Sequence, residues 1–95
     1  MTESCQHYLP ARRISARIVD GQLIILRPGS DELLRFNEVA TFVWSILEKR
    51  PVDANTLITA ITEEFEVDAD QAKLDLMSFL NQMVAEGLIE TKNDG

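Results

Sequence analysis

The dipeptide Asp20-Gly21 constrains the fold more than any other feature of this 95-residue sequence. Before it, Ile14, Ala16 and Ile18 alternate with polar residues, and this period of two predicts a strand with one apolar face. Asp-Gly between strand residues is typical of a two-residue type I′ turn, in which both central residues need a positive φ. The sequence therefore predicts a tight β-hairpin.

The return strand of this hairpin, residues 22–27, is apolar on both faces. That pattern favours a central strand that is covered on both sides. A second turn over residues 28–31 and a short strand over residues 33–36 follow. If the three strands pair in sequence order, the first and third are edge strands.

Three helical patterns come after the strands. The first begins at the N-cap Asn37 and the second near Asp53. The third begins at Asp68, where Gln71 occupies the position that completes a capping box, and ends at Gly87, a typical C′ residue. The sequence thus predicts an α+β fold that is winged-helix-like, with a three-stranded antiparallel sheet followed by a three-helix bundle.

The expected domain covers residues 12–91. Residues 1–11 show no periodicity, which predicts a flexible N-terminal arm, and residues 92–95 are expected to fray. No linker or internal repeat interrupts the domain.

Charge excludes several classes of partner. The net charge is −7, and residues 37–95 carry four cations against twelve anions. An acidic body repels phosphate groups and anionic lipids, so neither nucleic acid nor a membrane is an expected partner. The single cysteine and the absence of a secretion-signal pattern predict a cytoplasmic protein.

Few residues are suited to chemistry. His7 is the only histidine, and with Cys5 it supplies at most two metal ligands without a second pair. No glycine-rich phosphate loop or nucleophile elbow is present, and the carboxylates are scattered over helix surfaces. We therefore expect no catalytic residues, no metal and no cofactor.

The third helix has a wide apolar surface. Its expected core stripe consists of Ala72, Leu76, Phe79, Leu80 and Met83. Three further apolar residues lie outside the centre of this stripe, namely Leu74, Met77 and Val84. Either they are the margin of a broad core face, or they form a second strip that faces a groove.

A winged-helix outline also raises the alternative of a DNA-binding regulator, because many such domains insert the last helix into the major groove. Here Lys73 is the only cation of that helix, against Asp70, Asp75 and Glu86. The helix therefore lacks the positive charge that supplies most DNA affinity. A small interaction or dimerisation domain with an unknown partner is the remaining alternative.

Residues 34–89 resemble the PqqD family, the small peptide chaperones of pyrroloquinoline quinone (PQQ) biosynthesis. The same domain occurs as the recognition element for ribosomally made and modified peptides (RiPPs). The resemblance rests on an ordered set of short motifs: Phe36-Asn37, the helix aromatic Trp44, residues 56–61, Phe65, Val67-Asp68, and finally Asp75, Phe79, Leu80, Gly87 and Leu88.

The resemblance implies a non-catalytic chaperone that binds the leader segment of a precursor peptide. In the family the leader adds as a fourth strand beside the third strand, and its side chains enter a groove next to the third helix. The chaperone presents it to a modifying enzyme, often a radical S-adenosylmethionine protein, or to a leader peptidase. The residues implied for this chain are Leu33, Leu34, Arg35 and Phe36 on the strand, with Lys73, Leu74, Met77 and Asn81 on the helix.

Within that set, Arg35 and Lys73 are expected to meet acidic leader residues, while Leu74, Met77 and Asn81 are expected to line the groove. Exposed strand edges also pair with one another, so a homodimer through these edges stays open. The sequence does not distinguish quinone cofactor synthesis from other pathways of peptide modification.

Overall fold

Six strands and three helices follow one another along residues 5–94, the part of the chain that the computed structural model describes. In chain order they are β1 (Cys5–Pro10), β2 (Ser15–Val19), β3 (Gln22–Leu26), β4 (Leu33–Arg35), α1 (Glu38–Lys49), β5 (Val52–Asp53), α2 (Ala54–Glu64), α3 (Ala69–Ala85) and β6 (Ile89–Asp94).

The predicted hairpin joins β2 to β3. Val19 pairs with Gln22, and the two residues between them have positive φ, 53° at Asp20 and 78° at Gly21. These values are those of a type I′ turn. β3 also pairs antiparallel with β4, so the strand order is β2-β3-β4. The prediction of a three-stranded antiparallel sheet with β2 and β4 as its edges is confirmed.

All three helices begin where the sequence predicts. The side-chain oxygens of Asn37, Asp53 and Asp68 each accept a hydrogen bond from a backbone N–H three residues further on, at 2.9, 2.9 and 2.8 Å. Such N-caps stabilise a helix by about 1 kcal/mol each. The expected capping box is only half formed, because Gln71 donates its side-chain N–H to Asp75.

The end of α3 turns the chain back to the core. Gly87 adopts φ 77°, and the N–H of Leu88 donates to the carbonyl of Met83 at 2.8 Å. This left-handed C′ residue reverses the chain direction, so Leu88 and Ile89 become buried directly after the helix.

A second sheet, β5-β1-β6, was not anticipated from the sequence. The expectation of a flexible arm is wrong for residues 5–10, and that of a frayed end is wrong for 92–94, because β1 and β6 pair with each other along their whole length. Tyr8 of β1 is only 6% exposed. Pairing between opposite ends of the chain leaves no local periodicity to detect. Residues 1–4 and 95 lie outside the described residues.

Both sheets and all three helices contribute to one core. Trp44 of α1 is 1% exposed and is its largest fully buried side chain. Four residues of the stripe predicted for α3 are buried, while Phe79 is half-buried. Burial of a large apolar side chain stabilises a fold by about 1.5–3 kcal/mol.

Strand β3 is central, as predicted, but it is covered on one face only. Leu23 and Ile25 are fully buried against the core, whereas Leu26, on the opposite face, is 38% exposed. Leu33 pairs with Leu26 and is 54% exposed. The expectation of a strand covered on both sides is therefore wrong for the described residues.

Candidate functional site

One edge of the hairpin sheet carries backbone groups that point away from it. The N–H of Arg27 donates to the Glu32 carbonyl at 2.9 Å, and that of Phe36 donates to the Leu23 carbonyl at 3.1 Å. In an antiparallel pair, alternate residues turn their backbone groups toward the partner strand. The N–H and C=O groups of Leu33 and Arg35 must therefore face outward from β4. This edge has the geometry to accept another strand.

Just after β4, a side chain of α1 replaces the strand as the hydrogen-bond acceptor for β3. The N–H of Leu23 donates to the hydroxyl of Thr41 at 2.8 Å, and that hydroxyl donates to the Asn37 carbonyl at 2.9 Å. Thr41 is a buried polar residue. The bond fixes the first turn of α1 against β3 and positions the edge strand just before it.

A groove of about 500 Å³ lies between the end of β4, α1 and α3. Its aromatic part is formed by Phe36 and Phe79, whose rings meet edge to face with centroids 6.0 Å apart. Such a contact contributes about 0.5–1.5 kcal/mol beyond the area it buries. These two rings give the groove a defined apolar surface.

The rest of the lining is mixed in character. Arg35 and Asn37 come from the strand end and the N-cap, and the apolar residues Val39, Ala40 and Val43 come from α1. From α3 come Asp75, Leu76, Ser78 and Gln82. A cation and an anion thus belong to different sides of a partly apolar channel, a combination that suits a polypeptide segment with both apolar and charged side chains.

An ion pair links the hairpin sheet to the end of α3. Nη2 of Arg27 lies 3.1 Å from Oε1 of Glu86, and Nε of Arg27 lies 3.1 Å from Oε1 of Glu32. The groups are partly exposed, so each contact contributes at most about 1 kcal/mol. Their effect is to hold the turn after β3 close to the last turn of α3.

The structure brings part of the expected site together. Arg35 and Phe36 line the groove. Leu34 pairs with Ile25 and packs against the core. The side chain of Leu33 lies on the opposite face of the sheet, where it is largely exposed.

The residues expected on α3 lie elsewhere on that helix. Leu74, Met77 and Asn81 do not line the groove, and neither does Lys73. Leu74 is 69% exposed, while Met77 is half-buried against the core. Successive helix residues are about 100° apart, so the flank that meets β4 begins at Asp75 rather than Leu74. The expectation that Leu74, Met77 and Asn81 line this groove is therefore wrong, whereas a contact of these residues or of Lys73 with a leader stays a prediction.

The sequence does contain a signal for the correct flank. Asp75, Ser78, Phe79 and Gln82 recur at intervals of three and four residues, which places them on one helix face. A criterion based on a second apolar strip does not identify this flank, because three of its four residues are polar.

Among residues 5–94, no group of three or more His, Cys, Asp or Glu side chains is placed to hold a metal ion. In the same part of the chain, no helix combines the length and the apolar character needed to cross a membrane.

Comparisons with known proteins agree with this geometry. The family model for Coenzyme PQQ synthesis protein D (PqqD) matches residues 22–89, a range that runs from β3 to the start of β6 and includes the whole groove. Among solved structures, the chain is similar to TbiB1 in complex with the TbiA(beta) leader peptide. The TM-score is 0.76 at 22% identity, over 86% of this chain and 94% of that one. At this identity the likeness shows the fold. No curated protein matches the chain.

Proposed function

The chain belongs to the PqqD family, and from this premise we propose that it binds the leader segment of a ribosomally made precursor peptide. The observation that carries the proposal is the outer edge of β4, which pairs with no other strand of residues 5–94 and lies beside the groove that Phe36 and Phe79 help to form. The complex of TbiB1 with a leader peptide, which shares this fold, supports it.

Binding occurs by strand addition. The leader extends along β4 and exchanges hydrogen bonds with the outward backbone groups of Leu33 and Arg35. This mode of recognition obtains affinity from main-chain bonds and specificity from pockets for alternate side chains. Because side chains alternate across a strand, every second leader residue points toward α3 and enters the groove.

The groove then selects among leaders. The edge-to-face pair of Phe36 and Phe79 accepts an apolar leader side chain. Arg35 attracts an acidic residue from the strand side, and Asp75 attracts a basic one from the helix side. A leader of some ten residues loses chain entropy when it becomes ordered, so we expect a dissociation constant in the micromolar range.

The domain itself does no chemistry in this proposal. It acts in the cytoplasm as a chaperone that presents the bound precursor to a modifying enzyme, either a radical S-adenosylmethionine protein or a leader peptidase. The pathway is peptide modification, of which quinone cofactor synthesis is one example.

The test is a titration of the ¹⁵N-labelled protein with the leader peptide encoded by a neighbouring gene. We expect chemical-shift changes at Leu33 and Arg35 and along the flank of α3 that carries Ser78 and Gln82. A scrambled leader of the same composition is the control.

Two results would contradict the proposal. The first is the absence of binding at leader concentrations well above micromolar. The second is a set of shift changes confined to the flank of α3 that carries Leu74 and Asn81, because that flank lies outside the groove.

A further inference from the structure

The outer face of the hairpin sheet is turned away from the core, and among its described side chains Arg35 is the one that also lines the groove. By register, its side chains form two rows across the three strands. One row is Arg17, Ile24 and Arg35, and the other is Ser15, Leu26 and Leu33. A shallow depression of about 480 Å³ lies over this face, and its lining includes Ser15, Arg17, Val19, Ile24, Leu26 and Leu33 but not Arg35.

The centre of this face is more apolar than is usual for a sheet face exposed to solvent. Val19, Leu26 and Leu33 are among the large apolar side chains that stay exposed in the described part of the chain. An antiparallel sheet with one solvated face normally alternates apolar and polar residues. A strand that is apolar on both faces, as β3 is, implies that something covers the second face.

The charged side chains on this face restrict the kind of partner that can cover it. Arg17 and Arg35 lie on either side of Ile24, both are exposed, and neither forms an ion pair among the described residues. If two copies stacked these faces symmetrically, the arginines of one would approach those of the other and repel. The face is therefore complementary to a surface that is apolar at its centre and acidic on both sides.

We propose that the outer face of the sheet docks an amphipathic helix of the modifying enzyme, with an apolar stripe flanked by acidic residues. Helices commonly cover sheet faces, at a separation of about 10 Å. Three strands span about 10 Å in width, which matches the diameter of one helix. Ile24, Leu26 and Leu33 contact the apolar stripe, Arg17 pairs with one acidic flank, and Arg35, which the leader also contacts at the groove, borders the other flank.

This inference rests on the proposed function and adds a second surface to it. The leader occupies the free edge of β4 and the groove beside α3, whereas the enzyme occupies the face behind them. Arg17 lies on β2, separated from the free edge by β3, so it belongs to the second surface alone.

The probe is a pair of synthetic helical peptides of about 18 residues, long enough to span some 27 Å. Both carry a leucine stripe, flanked by glutamates in one peptide and by lysines in the other. Added to the ¹⁵N-labelled protein, the glutamate peptide is expected to shift the signals of Ile24, Leu26 and Leu33. The lysine peptide is expected to bind at least about fivefold more weakly.

Variants identify the face. Arg17→Glu is expected to weaken binding of the glutamate peptide about fivefold and to leave leader affinity unchanged. Lys73→Glu is its control, since it makes the same charge change on an exposed residue of α3. Leu26→Glu is expected to abolish peptide binding, while Leu74→Glu places the same change on an exposed leucine outside both surfaces and leaves it intact.

Several outcomes would overturn the inference. They are equal affinity for the two peptides, shift changes at α3 instead of the sheet, and insensitivity to Arg17→Glu. A concentration-dependent dimer that Leu26→Glu disrupts would identify a second copy as the occupant and likewise reject the proposed partner. Since leader affinity is measured on the same variants, failure of docking is distinguished from failure of leader binding.

Discussion

The hydroxyl of Thr41 accepts the backbone N–H of Leu23 at 2.8 Å, and this bond joins the first helix to the central strand of the hairpin sheet. If the pairing of β3 with β4 continued regularly, the N–H of Leu23 would donate to Phe36, the residue after β4. Because Thr41 takes it instead, β4 stays short and the chain turns into α1 beside the groove.

Replacement of Thr41 by valine tests this bond. Valine has nearly the same shape but leaves the buried N–H of Leu23 without a partner, which costs about 1–3 kcal/mol. We expect Thr41→Val to lower the free energy of unfolding in urea by that amount, and Thr41→Ser to lower it less. If the valine variant is as stable as the parent, the bond does not hold α1 to β3.

Strand addition uses the outward N–H groups of Leu33 and Arg35, and a proline at position 35 removes one of them. We expect Arg35→Pro to weaken leader binding about tenfold, because one main-chain hydrogen bond is lost and proline is tolerated on edge strands. Arg35→Ala removes the charge and keeps the N–H, so it is expected to weaken binding by about threefold or less. Calorimetric titration of both variants separates the two effects. Equal losses would show that the side chain, and not the backbone, binds the leader.

Two neighbouring residues of α3 distinguish the groove from the adjacent surface. Gln82 lines the groove, and Asn81, about 100° away around the helix, does not. We expect Gln82→Trp to fill the groove and abolish leader binding, and Asn81→Trp to leave it unchanged. Both residues are exposed, so both variants are expected to unfold at the parent's urea midpoint. If Asn81→Trp abolished leader binding and Gln82→Trp did not, the leader would contact the flank of α3 that the sequence alone predicts.

The N-cap of α2 is expected to make stability depend on pH. Hydrogen bonds from Thr56, first from its side chain and then from its backbone N–H, lower the pKa of Asp53 below its ordinary value of 3.8. Since the folded-state pKa is lower than the unfolded one, the contribution of this carboxylate is complete above pH 3.8 and is lost as the pH falls through the folded pKa.

Asp53→Asn keeps a good N-cap but does not titrate. We expect its unfolding free energy to fall less steeply than that of the parent as the pH drops below 3.8. Urea unfolding at a series of pH values measures this slope. Identical slopes for the two proteins would contradict the expectation.

Local signals in the sequence predict most of the fold correctly. Asp20-Gly21 specifies the turn, alternation specifies β2, and the caps Asn37 and Asp68 specify where helices begin, because each of these depends on residues close together in the chain. The sheet that contains β1 was missed because its pairing is long-range. A six-residue strand with a proline and no alternation has no local signature.

The strand side of the candidate site was easier to predict than the helix side. Arg35 and Phe36 follow from the position of the third strand, whose edge status depends only on the order of pairing. The groove flank of α3 depends on the rotation of that helix about its axis, which packing against β4 and α1 decides. An apolar criterion selected Leu74, yet the groove is lined by the polar residues Asp75 and Gln82.

The pairing of β1 with β6 makes the two ends of the described chain depend on each other. Cys5 lies opposite Asp94 and Pro10 opposite Ile89, and β1 is the strand that pairs with β6. Deletion of the first ten residues would therefore strip the last strand of its hydrogen-bonding neighbour and uncover the core around Ile89. Although they are farthest apart along the polypeptide, the two ends should open together as one cooperative unit in hydrogen exchange.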